Sequence, residues 1–184
     1  MNYCGKKNMT EEIITHHVEK SECVIAVFSD SHGNIPYLHQ AAKAAAPYDM
    51  AVHLGDYCRD ASALRELDTP VFCVSGNNDF SKGVPAELLI DICGIKIYCT
   101  HGHQWGIKVQ NDRLFCKAKE LGANIALYGH THASALDNIG GILLLNPGSV
   151  SMPRGGRTAS FARLRIVNGA ITPQICLLRR DTRA

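Results

Sequence analysis

Residues Cys23 to Asn34 read CVIAVFSDSHGN. The first half is a short apolar run rich in β-branched residues, which predicts a buried strand. The second half turns polar and delivers Asp30 and His32 just before Gly33. The same punctuation recurs downstream. MAVHL (50–54) runs into Gly55-Asp56, and VFCV (71–74) into Ser75-Gly76-Asn77-Asn78-Asp79. IKIYC (95–99) runs into Thr100-His101-Gly102-His103, and IALY (125–128) into Gly129-His130-Thr131-His132. Each run finishes in a side chain able to bind a metal, beside a glycine that lets the backbone turn sharply. In open α/β sheets ligands bind beyond the carboxyl ends of the strands, so these ends are expected to converge on one site.

Working outward, residues 36–46 and 59–67 read as helices between the first strands, with Pro36 in a first turn and Pro47 as a stop. Residues 87–93 and 95–99 flank Gly94 as a hairpin, and 109–121 form a helix ended by Gly122. From Ser134 the pattern is all β, and Asn168-Gly169 marks a hairpin between 161–167 and 170–178. The β-α-β-α-β start implies parallel strands with crossover helices. The number of strands suits two sheets packed face to face with helices outside. Residues 1–22 read as an N-terminal extension with a short helix over 11–19, and His16 and His17 as solvated surface; residues 23–184 read as one domain.

A net charge of +2 over 184 residues excludes an extended nucleic-acid surface. No apolar stretch approaches the ~20 residues that span a bilayer, and residues 1–22 lack a secretory signal. The eight cysteines form no C-x-x-C pair, which fits free thiols in a reducing cytoplasm.

The convergent set is Asp30, His32, Asp56, Asn77, His101, His130 and His132, with no thiolate. Mixed nitrogen and oxygen donors suit manganese, iron, zinc, nickel or magnesium. The set is too large for one small ion. Divided between two ions with a shared carboxylate, it leaves room on each for water and substrate. Two ions roughly 3.5–4 Å apart can clamp both oxygens of an in-line displacement at phosphorus.

These motifs resemble the calcineurin-like metallophosphoesterase superfamily, and within it the compact YfcE-type phosphodiesterases; Asn146-Pro147-Gly148-Ser149 and Pro153-Arg154 are similar to that subfamily's C-terminal signature. The resemblance spans about residues 23–178. It implies an α/β fold, a four-layer α/β/β/α sandwich of two mixed β-sheets. It implies two divalent ions, manganese first among the candidates: one on Asp30, His32, Asp56 and His132, the other on Asp56, Asn77, His101 and His130. Asp56 would bridge, and a bridging hydroxide would attack a small phosphate ester. A phosphomonoesterase or nucleotide phosphatase on the same site is the alternative. A protein-binding scaffold, as in the retromer's subunit of this fold, is a third reading that the full ligand set disfavours. A homo-oligomer is left open.

Around the ligands, His103 is a candidate acid, Asp79 an orienting group and His53 packed structure. Arg154 suits either a substrate phosphate or its own loop. Residues 146–149 read as a tight turn near the site, and Ser149 has no partner base that would make it a nucleophile. Asn78 stands where many superfamily members carry histidine; its amide can donate a hydrogen bond but cannot act as an acid. Replacing Asn78 with His is therefore expected to raise turnover of esters with poor leaving groups, and a rate series over leaving-group pKa measures this.

Overall fold

The computed structural model describes residues 13–18, 20–65, 69–80 and 82–179. Strands β1 (Ile14–Val18), β2 (Glu22–Phe28), β3 (Met50–His53) and β4 (Val71–Cys73) are followed by β5 (Glu87–Ile92) and β6 (Ile95–Thr100). Then come β7 (Ile125–Leu127), β8 (Ala135–Ile139), β9 (Ile142–Asn146), β10 (Ser160–Val167) and β11 (Ala170–Leu177). Helices α1 (Ile35–Ala45), α2 (Ala61–Arg65) and α3 (Asp112–Glu120) lie between them, with a 3-10 turn at Cys58–Asp60 leading into α2. The strands make a six-stranded sheet, β1-β5-β6-β7-β9-β8, and a five-stranded sheet, β11-β10-β2-β3-β4. Both sheets are mixed: β2, β3 and β4 run parallel while β10 is antiparallel to β2, and β6-β7-β9 are parallel between antiparallel neighbours.

Three apolar layers show how the sheets stack. Ile25, Val27 and Val52 of one sheet meet Ile90, Ile97 and Leu127 of the other in the central core. The opposite face of the five-stranded sheet, with Ala26, Phe28 and Phe161, packs on Leu38, Ala41, Ala42 and Ala45 of α1. The opposite face of the six-stranded sheet, with Tyr98, Ala126 and Leu144, packs on Leu114 and Ala118 of α3. The order is helix, sheet, sheet, helix: the expected α/β/β/α sandwich. A fully buried leucine, isoleucine or phenylalanine contributes about 1.5–3 kcal/mol, so these layers dominate the stability.

Local chemistry explains the elements. The apolar positions of α1 recur at helical spacing, Asn34 Oδ1 accepts from the Tyr37 amide at 3.2 Å, and the helix ends before Pro47. All three hairpins among the described residues turn on left-handed pairs, Cys93-Gly94 (φ 54° and 74°), Gly140-Gly141 (φ 56° and 85°) and Asn168-Gly169 (φ 48° and 78°), as hairpin twist requires. Pro173 sits in β11, an edge strand, where its missing N–H is tolerated.

One reading is corrected. Residues 14–18 are not helical; they form β1, paired in parallel with β5 from Ile14↔Leu88 to Val18↔Ile92. Ile14, Thr15 and Val18 are β-branched and lose rotamer freedom in a helix, and the edge of β5 offers an unpaired ladder. His17 is exposed as expected, whereas His16 is half-buried with its ring 4.8 Å from that of Phe72. Residues 11, 12 and 19 of that reading, and 66 and 67 of the second helix, lie outside the described residues.

His53 closes a buried network below the strand ends. Its Nδ1 accepts from the Gly55 amide at 3.3 Å, so its Nε2 donates to Ser31 Oγ at 3.0 Å, and Ser31 Oγ donates to Asp60 Oδ2 at 2.7 Å. Burial holds the His53 pKa down at about 4, against the pull of Asp60 and Asp30. Between pH 6.5 and 4 the unfolded chain therefore binds a proton that the folded chain refuses, and stability falls as pH falls. The loss is about 3 kcal/mol across that window at ~1.4 kcal/mol per unit. In metal-free protein, His53→Gln is expected to flatten the pH dependence of urea-unfolding free energy by roughly that amount. An unchanged slope would place the proton uptake elsewhere.

Candidate metal centre

The sandwich brings the strand ends together at one edge. Backbone hydrogen bonds stitch neighbouring ends: Leu54 N to Phe28 O, Asp30 N to Gly55 O, Val74 N to His53 O and Gly129 N to His101 O. Others cross between the sheets. His101 Nδ1 donates to Leu54 O at 2.7 Å, the His130 amide to Asp30 Oδ2 at 3.1 Å, and Ser149 Oγ to Asp30 O at 2.7 Å. Asp30, His32, Asp56 and His132 offer ligand atoms that all lie within 4.8 Å of one another. His101 stands on the other side of Asp56, its Nε2 3.4 Å from Asp56 Oδ1. The His130 ring is 5.1 Å from that of His101.

The histidine tautomers follow from their partners. A carbonyl only accepts, so His101 Nδ1 and His132 Nδ1, each 2.7 Å from a carbonyl (Leu54 and Met152), carry the protons. Their Nε2 atoms are then bare lone pairs. His132 Nε2 points at Asp30 Oδ1 across 3.1 Å, and His101 Nε2 at Asp56 Oδ1. With both rings neutral, lone pairs thus face carboxylate oxygens with no proton between them. Asp30 Oδ1 and His101 Nε2 are buried without a hydrogen-bond partner among the described residues, a costly state for polar atoms. A divalent cation placed among them satisfies both, and the imidazole and carboxylate donors suit one.

The protonation balance shows the same demand for positive charge. Burial lowers the His132 pKa, but the Asp30 carboxylate outweighs burial and raises it, so without a cation a proton is drawn into that gap. Burial raises the pKa of Asp30, but His132, His101 and the 2.6 Å bond from Ser29 Oγ outweigh it, and the carboxylate is held below its usual range. Burial, then repulsion from His101 and Lys108, brings His130 down to about 4. Its lone pair is free at neutral pH.

The backbone is unusual at these residues. Asp30, His32, Asp56, His130 and His132 all have positive φ, between 48° and 65°. Left-handed backbone in non-glycine residues costs energy and persists where the surroundings over-determine it. Two glycines make room. A Cβ on Gly76 would collide with Asp56 Oδ1, and one on Gly129 with Ser29 Oγ.

The remaining candidates fall into place around the cluster. Asn78 holds Asp56 with two bonds, its amide to Oδ1 at 3.0 Å and Nδ2 to Oδ2 at 2.7 Å. Asn77 is exposed on the same turn and makes no side-chain hydrogen bond among the described residues. Asp79 accepts from the Cys58 amide at 2.7 Å and the Gly76 amide at 2.8 Å, and so fixes this turn. His103 is exposed on the rim, its ring 5.5 Å from that of His101 and 6.1 Å from that of His130. Ser149 is buried and receives the Met152 and Ser151 amides, a structural role. Asn146 donates to Gly129 O at 2.8 Å, and the Arg154 amide holds His132 O at 3.1 Å. Asp60 was not apparent from sequence. It accepts from the Gly33 amide and Ser31 Oγ, both at 2.7 Å, yet a carboxylate at the start of a helix carries no pattern that separates it from solvated surface.

Comparison with known proteins agrees with this geometry. Residues 24–169 match the Calcineurin-like phosphoesterase superfamily domain. The chain is 37% identical over 155 residues to a probable metallophosphoesterase, YsnB, of Bacillus subtilis, covering 80% of this chain and 87% of that protein. It is 28% identical over 167 residues to the phosphodiesterase YfcE of Escherichia coli K12, covering 74% and 84%. The crystal structure of a conserved protein described as a predicted phosphoesterase from Streptococcus pneumoniae TIGR4 superposes with a TM-score of 0.74 at 33% identity, over 86% of this chain and 91% of that one. With the profile matched across both sheets and the Asp/His cluster assembled at their common edge, the chain belongs to the calcineurin-like phosphoesterase superfamily.

Proposed function

We propose that this metallophosphoesterase is a phosphodiesterase that works with two divalent ions. The observation that carries the reading is the position of Asp56. Its Oδ2 lies 3.8 Å from His32 Nε2 and its Oδ1 3.4 Å from His101 Nε2, so its two oxygens face two different histidine groups. Asp30, His32, Asp56 and His132 would hold one ion; Asp56, Asn77, His101 and His130 would hold the other. Bound there, the ions supply an acidified water and neutralise the phosphoryl oxygens. Manganese is the expected metal, with nickel, iron, zinc and magnesium compatible with the same donors.

The chain's own groups do the rest. Asn78 fixes both oxygens of Asp56 and so sets how that carboxylate is shared. Outer hydrogen bonds of this kind orient ligands and tune affinity. His103, exposed beside His101 and His130, is the side chain we assign to meeting the leaving oxygen. The name of the relative YfcE supports a diester substrate. No helix among the described residues is long and apolar enough to cross a membrane. The seven described cysteines are all free, which supports a reducing cytoplasmic setting.

Manganese-loaded protein is expected to hydrolyse bis(4-nitrophenyl) phosphate faster than 4-nitrophenyl phosphate, and the reverse order would make it a monoesterase. Asp56→Asn is expected to lower kcat by about three orders of magnitude or more, since it touches both proposed ions. It should also reduce the manganese bound per chain below two by metal analysis. Retained turnover with full metal would refute the shared carboxylate.

A further inference from the structure

The clustered ligands account for the floor of the site but not for what lies beside it. A groove of about 400 Å³ opens next to the cluster, lined by Tyr57, Arg59, Asn78, Asp79 and Phe80. It joins the site directly. Tyr57 follows Asp56 in the chain, its ring lies 5.4 Å from that of His32, and Asn78 is the residue that holds Asp56. The Phe80 side chain is not explained by packing. Phe80 is 93% exposed, and it follows the turn on which Asn78 holds Asp56 and Asp79 holds the Cys58 and Gly76 amides. Tyr57 takes a left-handed backbone (φ 72°, ψ 55°), uncommon for a bulky residue, and this φ/ψ leads into the turn that carries Arg59. The Arg59 guanidinium carbon lies 4.9 Å from the Tyr57 ring centroid. Asp79 is held in place, with one backbone amide donating to each of its oxygens.

An exposed phenylalanine lining the same groove as an arginine stacked on a tyrosine is the equipment that binds a planar π system. Bases stack on aromatic side chains and on arginine planes. The weak net charge of +2 argues against a long polyanion. We infer that Phe80, Tyr57 and Arg59 form a subsite for the base of a nucleoside phosphoester whose phosphate sits on the Asp30–Asp56–His132 cluster. This rests on the phosphodiesterase reading above and names its substrate class.

The test compares adenosine 5′-monophosphate with ribose 5-phosphate, which share sugar and phosphate and differ by the base. Calorimetric titration into manganese-loaded protein is expected to show the nucleotide binding at least tenfold tighter. Phe80→Ala is expected to shrink that ratio at least fivefold, because the base loses its stacking face; Arg59→Gln should shrink it in the same direction. Because Phe80 is almost fully exposed, its removal leaves the core intact. Equal binding of the two ligands by the unaltered protein, or a ratio that survives Phe80→Ala, would overturn the subsite. Nucleotide binding with the expected ratio but no turnover of bis(4-nitrophenyl) phosphate would leave the subsite standing and sink the diesterase reading instead.

Discussion

Unshared electron pairs are pressed together where the two sheets meet, and the rest of the site is arranged to hold them there. Two carbonyls, of Leu54 and Met152, decide which nitrogen of His101 and of His132 is bare. Ser29 and the His130 amide occupy one oxygen of Asp30 and leave the other without a partner. Asn78 grips Asp56 from outside. Each contact alone is an ordinary hydrogen bond. Together they aim donors at a common space that neutral protein atoms do not satisfy.

Such an arrangement opposes folding, and the fold must offset it. Left-handed backbone at five of the clustered Asp and His positions costs of order 1–3 kcal/mol each. The offset comes from the three apolar layers, which lie away from the site and are indifferent to its chemistry. This separation explains why the ligands sit on loops just past the strands: the strands are fixed by burial, and the loops inherit their positions.

Much of this could be read from residue order. Apolar runs that stop at Gly-Asp or Gly-His state both the strand and the site, because burial and metal affinity leave separate marks on residue type. The packing of two sheets followed from the number of strands, and two of the three hairpins from Gly94 and Asn168-Gly169; the third, at Gly140-Gly141, was not singled out. What stayed hidden depends on partners distant in sequence. Residues 14–18 look neutral alone and become a strand only because β5 presents an open edge. Asp60 looks like a helix-surface carboxylate until it is seen bonded to Ser31 and Gly33. Tyr57 and Phe80 give no periodic signal, since neither packs in a core. The left-handed φ values were invisible as well, because aspartate and histidine do not announce that conformation as glycine does.

The donors come from both halves of the sandwich. Asp30, His32 and Asp56 extend from the five-stranded sheet, and His101, His130 and His132 from the six-stranded one. A cation seated among them is therefore a rivet through the interface, not an ornament on one face. By mass action, a ligand at a thousand times its dissociation constant adds about 4 kcal/mol to the folded state. That gain would be concentrated on the seam between the layers. Metal supply then becomes a mechanical variable: a starved cell would hold a population whose sheets part more readily.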